Sequence, residues 1–254
     1  MLKRTLMILF TLTVDIRSLM HRWRAIPYFL INAFAWRRMC RSGNFKFSWK
    51  WLNYRTYERF ESAGVLDSHY FLQDLWAAKN ISAIKPARHY DVGSRIDGFV
   101  AHVLISTPVT YVDLRPLAVD VEELSFQQGS ILALPFTSES IHSLSCLHVI
   151  EHIGLGRYGD PVDPAGYQKA LCELSRVLAP GGTLLLGTPV GREKLCFDAH
   201  RVFDPKTIVD GLRDLQLQEF SVIPDGQMKI LRKISLEEVN KYEYACGLFI
   251  FKRI

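Results

Sequence analysis

The sequence predicts an α/β fold, an open, doubly wound, mainly parallel sheet, preceded by an N-terminal helical arm. Three observations carry this expectation. Short strand-like runs recur at 88–92, 109–114, 142–148, 183–187, 218–223 and 244–252. Helical patterns separate several of them, which is how parallel strands are connected. Two acids, Asp91 and Asp113, stand at the first two runs, twenty-two positions apart, the span of one strand–helix–strand unit.

The arm covers residues 1–53 and the α/β domain residues 54–254. Residues 1–50 carry ten Lys or Arg against Asp15 alone, a charge of +9, so the rest of a chain of net charge +5 sums to −4. The uncharged runs Thr5 to Val14 and Ala25 to Trp36 are ten and twelve residues long, too short for a span that needs about 18. Lys3 and Arg4 would suit a secretory signal, but Asp15-Ile16-Arg17 stands where a cleavage site belongs. Two readings of the arm stay open. Residues 1–41 could lie on an anionic membrane, with Trp23, Tyr28, Phe29, Phe34 and Trp36 at headgroup level. They could equally be a helical arm packed on the domain or on a second subunit. No recognition-module pattern surrounds the basic residues, so no nucleic-acid partner is expected. Five separated cysteines without a C-x-x-C pair suggest a cytoplasmic protein with no disulfide framework or zinc knuckle. The membrane reading of the arm would hold it at the inner face.

In the body, residues 54–80 have a helical pattern, with Leu72, Leu75 and Trp76 on one stripe and Pro86 as the break. Residues 163–178 repeat the pattern with Tyr167, Ala170, Leu171, Leu174, Val177 and Leu178, and Pro180-Gly181-Gly182 turns into the next strand. A further helix is expected over 205–215 after Asp204-Pro205. Ligands of such sheets sit beyond the carboxyl ends of the strands. Asp91, Asp113 and the segment after His148 should therefore face one crevice, where the Asp113 carboxylate could accept both hydroxyls of a ribose.

The series Asp91-x-Gly93, Asp113, Leu134-Pro135-Phe136, His148-Val149-Ile150-Glu151-His152-Ile153, Leu178-x-Pro180-Gly181-Gly182 and Thr188-Pro189 resembles class I S-adenosylmethionine-dependent methyltransferases over residues 88–253. More narrowly, HYDVGSRIDGF, HVIEHIGLGRYGDPVDP and CFDAHRVF resemble a methyltransferase-like family known only as a domain of unknown function. Its members occur, among other places, in bacterial loci for surface polysaccharide synthesis. The resemblance implies a Rossmann-like sheet of the class I methyltransferase type and S-adenosylmethionine as cofactor. It assigns cofactor contacts to Asp91, Gly93, Ser94, Arg95, Gly98, Asp113, Leu114, Arg115, Ser130, Ile131 and His148. The chain departs from the family pattern at Arg95 and Asp97, which replace two glycines of the turn, at Ser130 in place of an acid, and at His142 in place of an Asp.

The segment from His148 to Asp163 is dense in reactive groups. Its H-x-x-E-H spelling also matches an inverted zinc-protease motif, which needs both histidines on one helix face; here glycines follow at once, and no metal site is expected. Asp160 and Asp163 are too few acids for a cation. Transfer to a hydroxyl needs a base, and histidine is the natural one. His152 is the first candidate and His200 the second, with His148 and Glu151 beside them. Arg157, Tyr158, Asp160, Arg192 and Arg201 are expected to bind the acceptor. The expected function is O-methylation of a sugar in a cell-surface polysaccharide or its lipid-linked precursor. Two alternatives stand beside it: the same fold acting on or binding a nucleotide sugar, and a non-catalytic scaffold subunit of a glycan-synthesis complex.

Overall fold

The computed structural model describes residues 16–40, 47–48, 50, 66–197 and 199–254, and the side chains of residues 16–22 are not among the described ones. The expected run Thr5 to Val14 and residues 54–65 of the expected 54–80 helix lie outside that set. The chain divides into two compact units, Met1–Leu66 and Asp67–Ile254. In the first, helix α1 spans Ile16–Met39. Trp23, Ile31, Phe34 and Met39 are exposed on it, whereas Ala25 and Ala33 are buried. No helix of the described residues is long and apolar enough to cross a membrane.

The second unit begins with α2, Ser68–Ile84. Asp67 is extended, and its Oδ1 accepts the backbone N–H groups of His69 at 3.0 Å and Tyr70 at 3.4 Å, satisfying donors a helix start leaves orphaned. The strands are β1 His89–Val92, β2 Val109–Asp113, β3 Leu124–Gln128, β4 Ile141–Leu147, β5 Leu178–Val190, β6 Lys194–Cys196, β7 His200–Val202, β8 Gln216–Pro224 and β9 Ala245–Lys252. Seven of them form one sheet in the order β3-β2-β1-β4-β5-β9-β8, and β6 with β7 forms a separate hairpin. β3, β2, β1, β4 and β5 are parallel neighbours, while β9 is antiparallel to both β5 and β8. Strand order therefore reverses between β1 and β4, where a crevice opens in a doubly wound sheet.

Side-chain alternation along the central strands feeds a core on each face. Leu184, Leu186, Phe249 and Phe251 join Ala170, Leu171, Leu174 and Val177 of α3 (Gly166–Val177) and Ile208 of α4 (Pro205–Gly211). Leu185 and Leu248 point the other way and meet Trp76, Ala77 and Ile81 of α2, with Phe99 and Val100 from a single π turn at Ile96–Val100. Asp204 caps α4 and Pro205 opens it, as expected. Pro180-Gly181-Gly182 does not separate two elements. β5 runs through it, with Gly181 at φ 74° and three extra residues accommodated against β4 between Ile141 and Ser143.

Candidate active site

Beneath the first strand end lies a buried polar chain. His89 meets Ser143 and Ser145 through its two ring nitrogens, each at 2.8 Å. Ser145 donates to Asp91, which also accepts the Ser94 N–H at 3.0 Å and the Ser94 hydroxyl at 2.6 Å. Burial holds the His89 ring neutral, with a pKa down at about 3, and lifts Asp91 to about 6. Asp91 is thus a brace under the turn and does not reach the crevice, contrary to the cofactor contact expected of it. The turn itself needs Gly93, whose φ is 72°. Gly98 also has a different role from the one expected. A Cβ there would lie 2.2 Å from Asp74 Oδ2, so this glycine lets the π turn pack on α2.

Two cavities open beyond the strand ends. The first, of about 310 Å³, lies between the ends of β1, β2 and β4, with Val92, Val112, Ile131, Leu132, Val149 and Ile153 as apolar walls and Asp113 at its edge. Gly93, Leu114, Arg115, Ser130, His148, His152, Tyr158 and Asp160 also line it, as the sequence places them. The second, of about 410 Å³, is lined by Tyr70, Ser94, Arg95, Asp97 and Tyr111, and shares Arg115, His148, His152 and Tyr158 with the first. The Tyr158 ring stands between the guanidinium groups of Arg115 and Arg157, each 5.2 Å away, cation–π contacts that fix the wall between the cavities.

At the end of β4, His148 adopts a left-handed φ of 56°, and its N–H bonds the Gly187 carbonyl at 2.8 Å. That twist buries its ring, with Nδ1 2.7 Å from Glu151 Oε1 and Nε2 buried without a hydrogen-bond partner among the described residues. Glu151 is buried too and accepts the Thr188 hydroxyl at 3.2 Å. Burial disfavours the charged His148 ring, but the Cys246 sulfur and the Glu151 carboxylate outweigh it and raise the imidazole well above its usual value. Burial likewise opposes charge on Glu151, and His148 nonetheless holds it below the usual carboxylate value. His152 lies at both cavities, with Nδ1 2.7 Å from the Ala199 carbonyl and Nε2 3.8 Å from Glu151. The segment forms turns where the zinc-protease spelling needs a helix, so the two histidines share no helix face.

The remaining expected residues are placed elsewhere. His200 lines neither cavity and packs at a tilt against Tyr244, ring centroids 5.5 Å apart. Arg201 donates to the Ile153 carbonyl at 2.7 Å and lies 5.4 Å over the Tyr167 ring, holding the loop. Arg192 pairs with Glu243 at the surface. Arg157 donates to the Ala199 carbonyl at 2.8 Å and borders the site through Tyr158 and His152, whose Nδ1 lies 3.4 Å from its Nη1. These basic side chains satisfy loop carbonyls or surface acids, partners that spacing along the chain does not reveal. Tyr70 is the residue that the sequence reading missed. It faces the second cavity with Arg95 4.9 Å over its ring. A helix expected to begin at residue 54 hides it mid-element; the cap at Asp67 puts it in the first turn.

The strand order, the antiparallel β9 and the cavity at the switch point decide the architecture. The chain has the class I methyltransferase fold. A structure of a provisionally assigned sarcosine dimethylglycine methyltransferase from Galdieria sulphuraria is similar, with TM-score 0.53 and 14% identity over 72% of this chain and 85% of that one. The N-methyltransferase NodS from Bradyrhizobium japonicum WM9, solved with S-adenosyl-L-homocysteine, gives 0.50 and 18% over the same shares. The [4+2]-cyclase SpnF gives 0.50 and 13% over 72% and 79%. A family model described as Caenorhabditis protein of unknown function, DUF268, matches residues 135–210. Among curated proteins no match is found. A cyclase on this fold makes plain that the fold alone does not assign methyl transfer.

Proposed function

We propose that the chain is an S-adenosylmethionine-dependent methyltransferase whose acceptor is a hydroxyl. The observation that carries this reading is the first cavity, an apolar slot of about 310 Å³ at the strand switch with a carboxylate, Asp113, at its edge. An adenosine needs such a slot for its base and such an acid for its ribose. When bound, the sulfonium supplies an electrophilic methyl group for in-line displacement. The chain has to align the acceptor and take its proton. His148 is assigned the proton-accepting role, because Glu151 orients its ring through Nδ1 and the residue lines both cavities. His152 is the alternative base. A sugar acceptor on a surface glycan or its lipid-linked precursor follows from the family resemblance. The exposed aromatic face of α1 supports contact with the membrane where such precursors lie.

Calorimetric titration with S-adenosylmethionine and S-adenosylhomocysteine, with UDP-glucose as control, tests the reading. Micromolar affinity for the first two is expected, falling at least about tenfold in Asp113→Ala as a charge-assisted pair of hydrogen bonds is lost, with the thermal midpoint little changed. Affinity for UDP-glucose alone would support the nucleotide-sugar reading. Binding of none of them would support the scaffold.

A further inference from the structure

A carboxylate offers about four acceptor positions, and Arg115 takes three of those of Asp113. Oδ1 accepts the backbone N–H of Arg115 at 2.8 Å and its Nε at 3.1 Å. Oδ2 accepts Arg115 Nη2 at 3.0 Å, and the Tyr111 hydroxyl, whose single proton also has the Ser94 carbonyl within 3.1 Å, lies 3.1 Å from it. A ribose diol held by both oxygens needs one position on each, and the guanidinium fork occupies one on each. Diol and fork therefore exclude one another. The backbone N–H and the Tyr111 hydroxyl can keep their bonds while the long Arg115 side chain, 62% exposed, swings away.

The displaced cation has a place to go. Arg115 lines both cavities and lies against Tyr158 on the wall between them. In the second cavity, Arg95 is paired with Asp97 and His148 with Glu151, carboxylates that a ribose does not need. Arg115 differs, because its partner is the acid of the nucleoside site. Filling the first cavity thus leaves an uncompensated guanidinium facing the second.

We propose that a nucleoside diol displaces Arg115 from Asp113, and that the released guanidinium then binds an anionic group of the acceptor, a phosphate or a carboxylate, in the second cavity. Arg115 couples the two cavities, with the nucleoside loading first and an anionic acceptor second. This deepens the methyltransferase reading and rests on its nucleoside site.

The test is calorimetry on the full chain, wild type and Arg115→Met, titrated with adenosine and with S-adenosylhomocysteine, each with and without inorganic phosphate. Removing the fork should tighten adenosine binding about three- to tenfold, the worth of an exposed bidentate pair. Phosphate should tighten adenosine and S-adenosylhomocysteine binding to the wild type by a similar factor and leave Arg115→Met unaffected, because coupling between two ligands is reciprocal. Arg115→Lys, which keeps the charge without the fork, should retain the phosphate effect. Equal or weaker adenosine binding by Arg115→Met overturns the displacement. A phosphate effect with adenosine that vanishes with S-adenosylhomocysteine overturns the anionic acceptor, since the homocysteine carboxylate would then be the anion on Arg115. Failure of both proteins to bind either nucleoside removes the methyltransferase reading itself, an outcome distinct from the other two.

Discussion

His148 and Glu151 stand three positions apart in the H-x-x-E-H motif, and the left-handed turn at His148 makes them a pair. A base must be neutral to accept a proton, so a His148 held above its usual value puts the rising limb of the pH–rate profile above the ordinary histidine range, about 6.5. Glu151→Gln removes the carboxylate charge and should move that limb to lower pH while reducing turnover about 10- to 100-fold. Cofactor affinity should be nearly unchanged. A profile that keeps its shape in the variant would detach Glu151 from the base and return the role to His152. Both residues stand out in the sequence as titratable groups after a strand. How the His148 ring comes to meet Glu151 depends on one backbone angle and on Gly187 across the sheet, neither of which the motif encodes.

Among the elements, the junction of α2 with the π turn is tightly constrained next to the site. Gly98 was expected to let a ligand approach, yet its missing Cβ makes room for Asp74. Burial lifts the Asp74 carboxyl to about 6, so the space is filled by a group that is already costly to bury. Gly98→Ala should destabilise the fold by about 1–3 kcal/mol through overpacking. Adding Asp74→Ala should recover most of that loss, because the two sites share one contact; denaturant titration of the single and double variants reads the coupling. Additive losses would mean the strain is relieved elsewhere. The strands missed from the sequence are β3, at the sheet edge with an exposed pattern, and the short hairpin β6–β7. An edge strand with only Leu124 and Phe126 packed against the core carries little apolar alternation to detect.

For the whole molecule, the basic and aromatic character of the first unit contrasts with the acidic balance of the remainder. Trp23 and Phe34 are 67% and 62% exposed on α1, the arrangement an interfacial helix uses on anionic lipid. Deleting residues 1–41 should abolish co-sedimentation with vesicles containing anionic lipid while leaving nucleoside affinity intact. A truncated protein that aggregates or changes oligomeric state would instead identify α1 as a packing arm.

The sheet, its two helical faces and the crevice at the strand ends were legible in the sequence because buried parallel strands must be apolar and their acids stand at strand ends. The helix over 166–177 was legible for the same reason, its stripe being written at helical spacing. The hydrogen-bond partners of individual polar side chains were not. Asp91 faces inward because Ser94 and Ser145 satisfy it, Arg201 turns to the Ile153 carbonyl, and Arg115 folds onto Asp113. Polar side chains bond whichever group the packed backbone brings near, and that is decided only when the sheet and its loops come together in space.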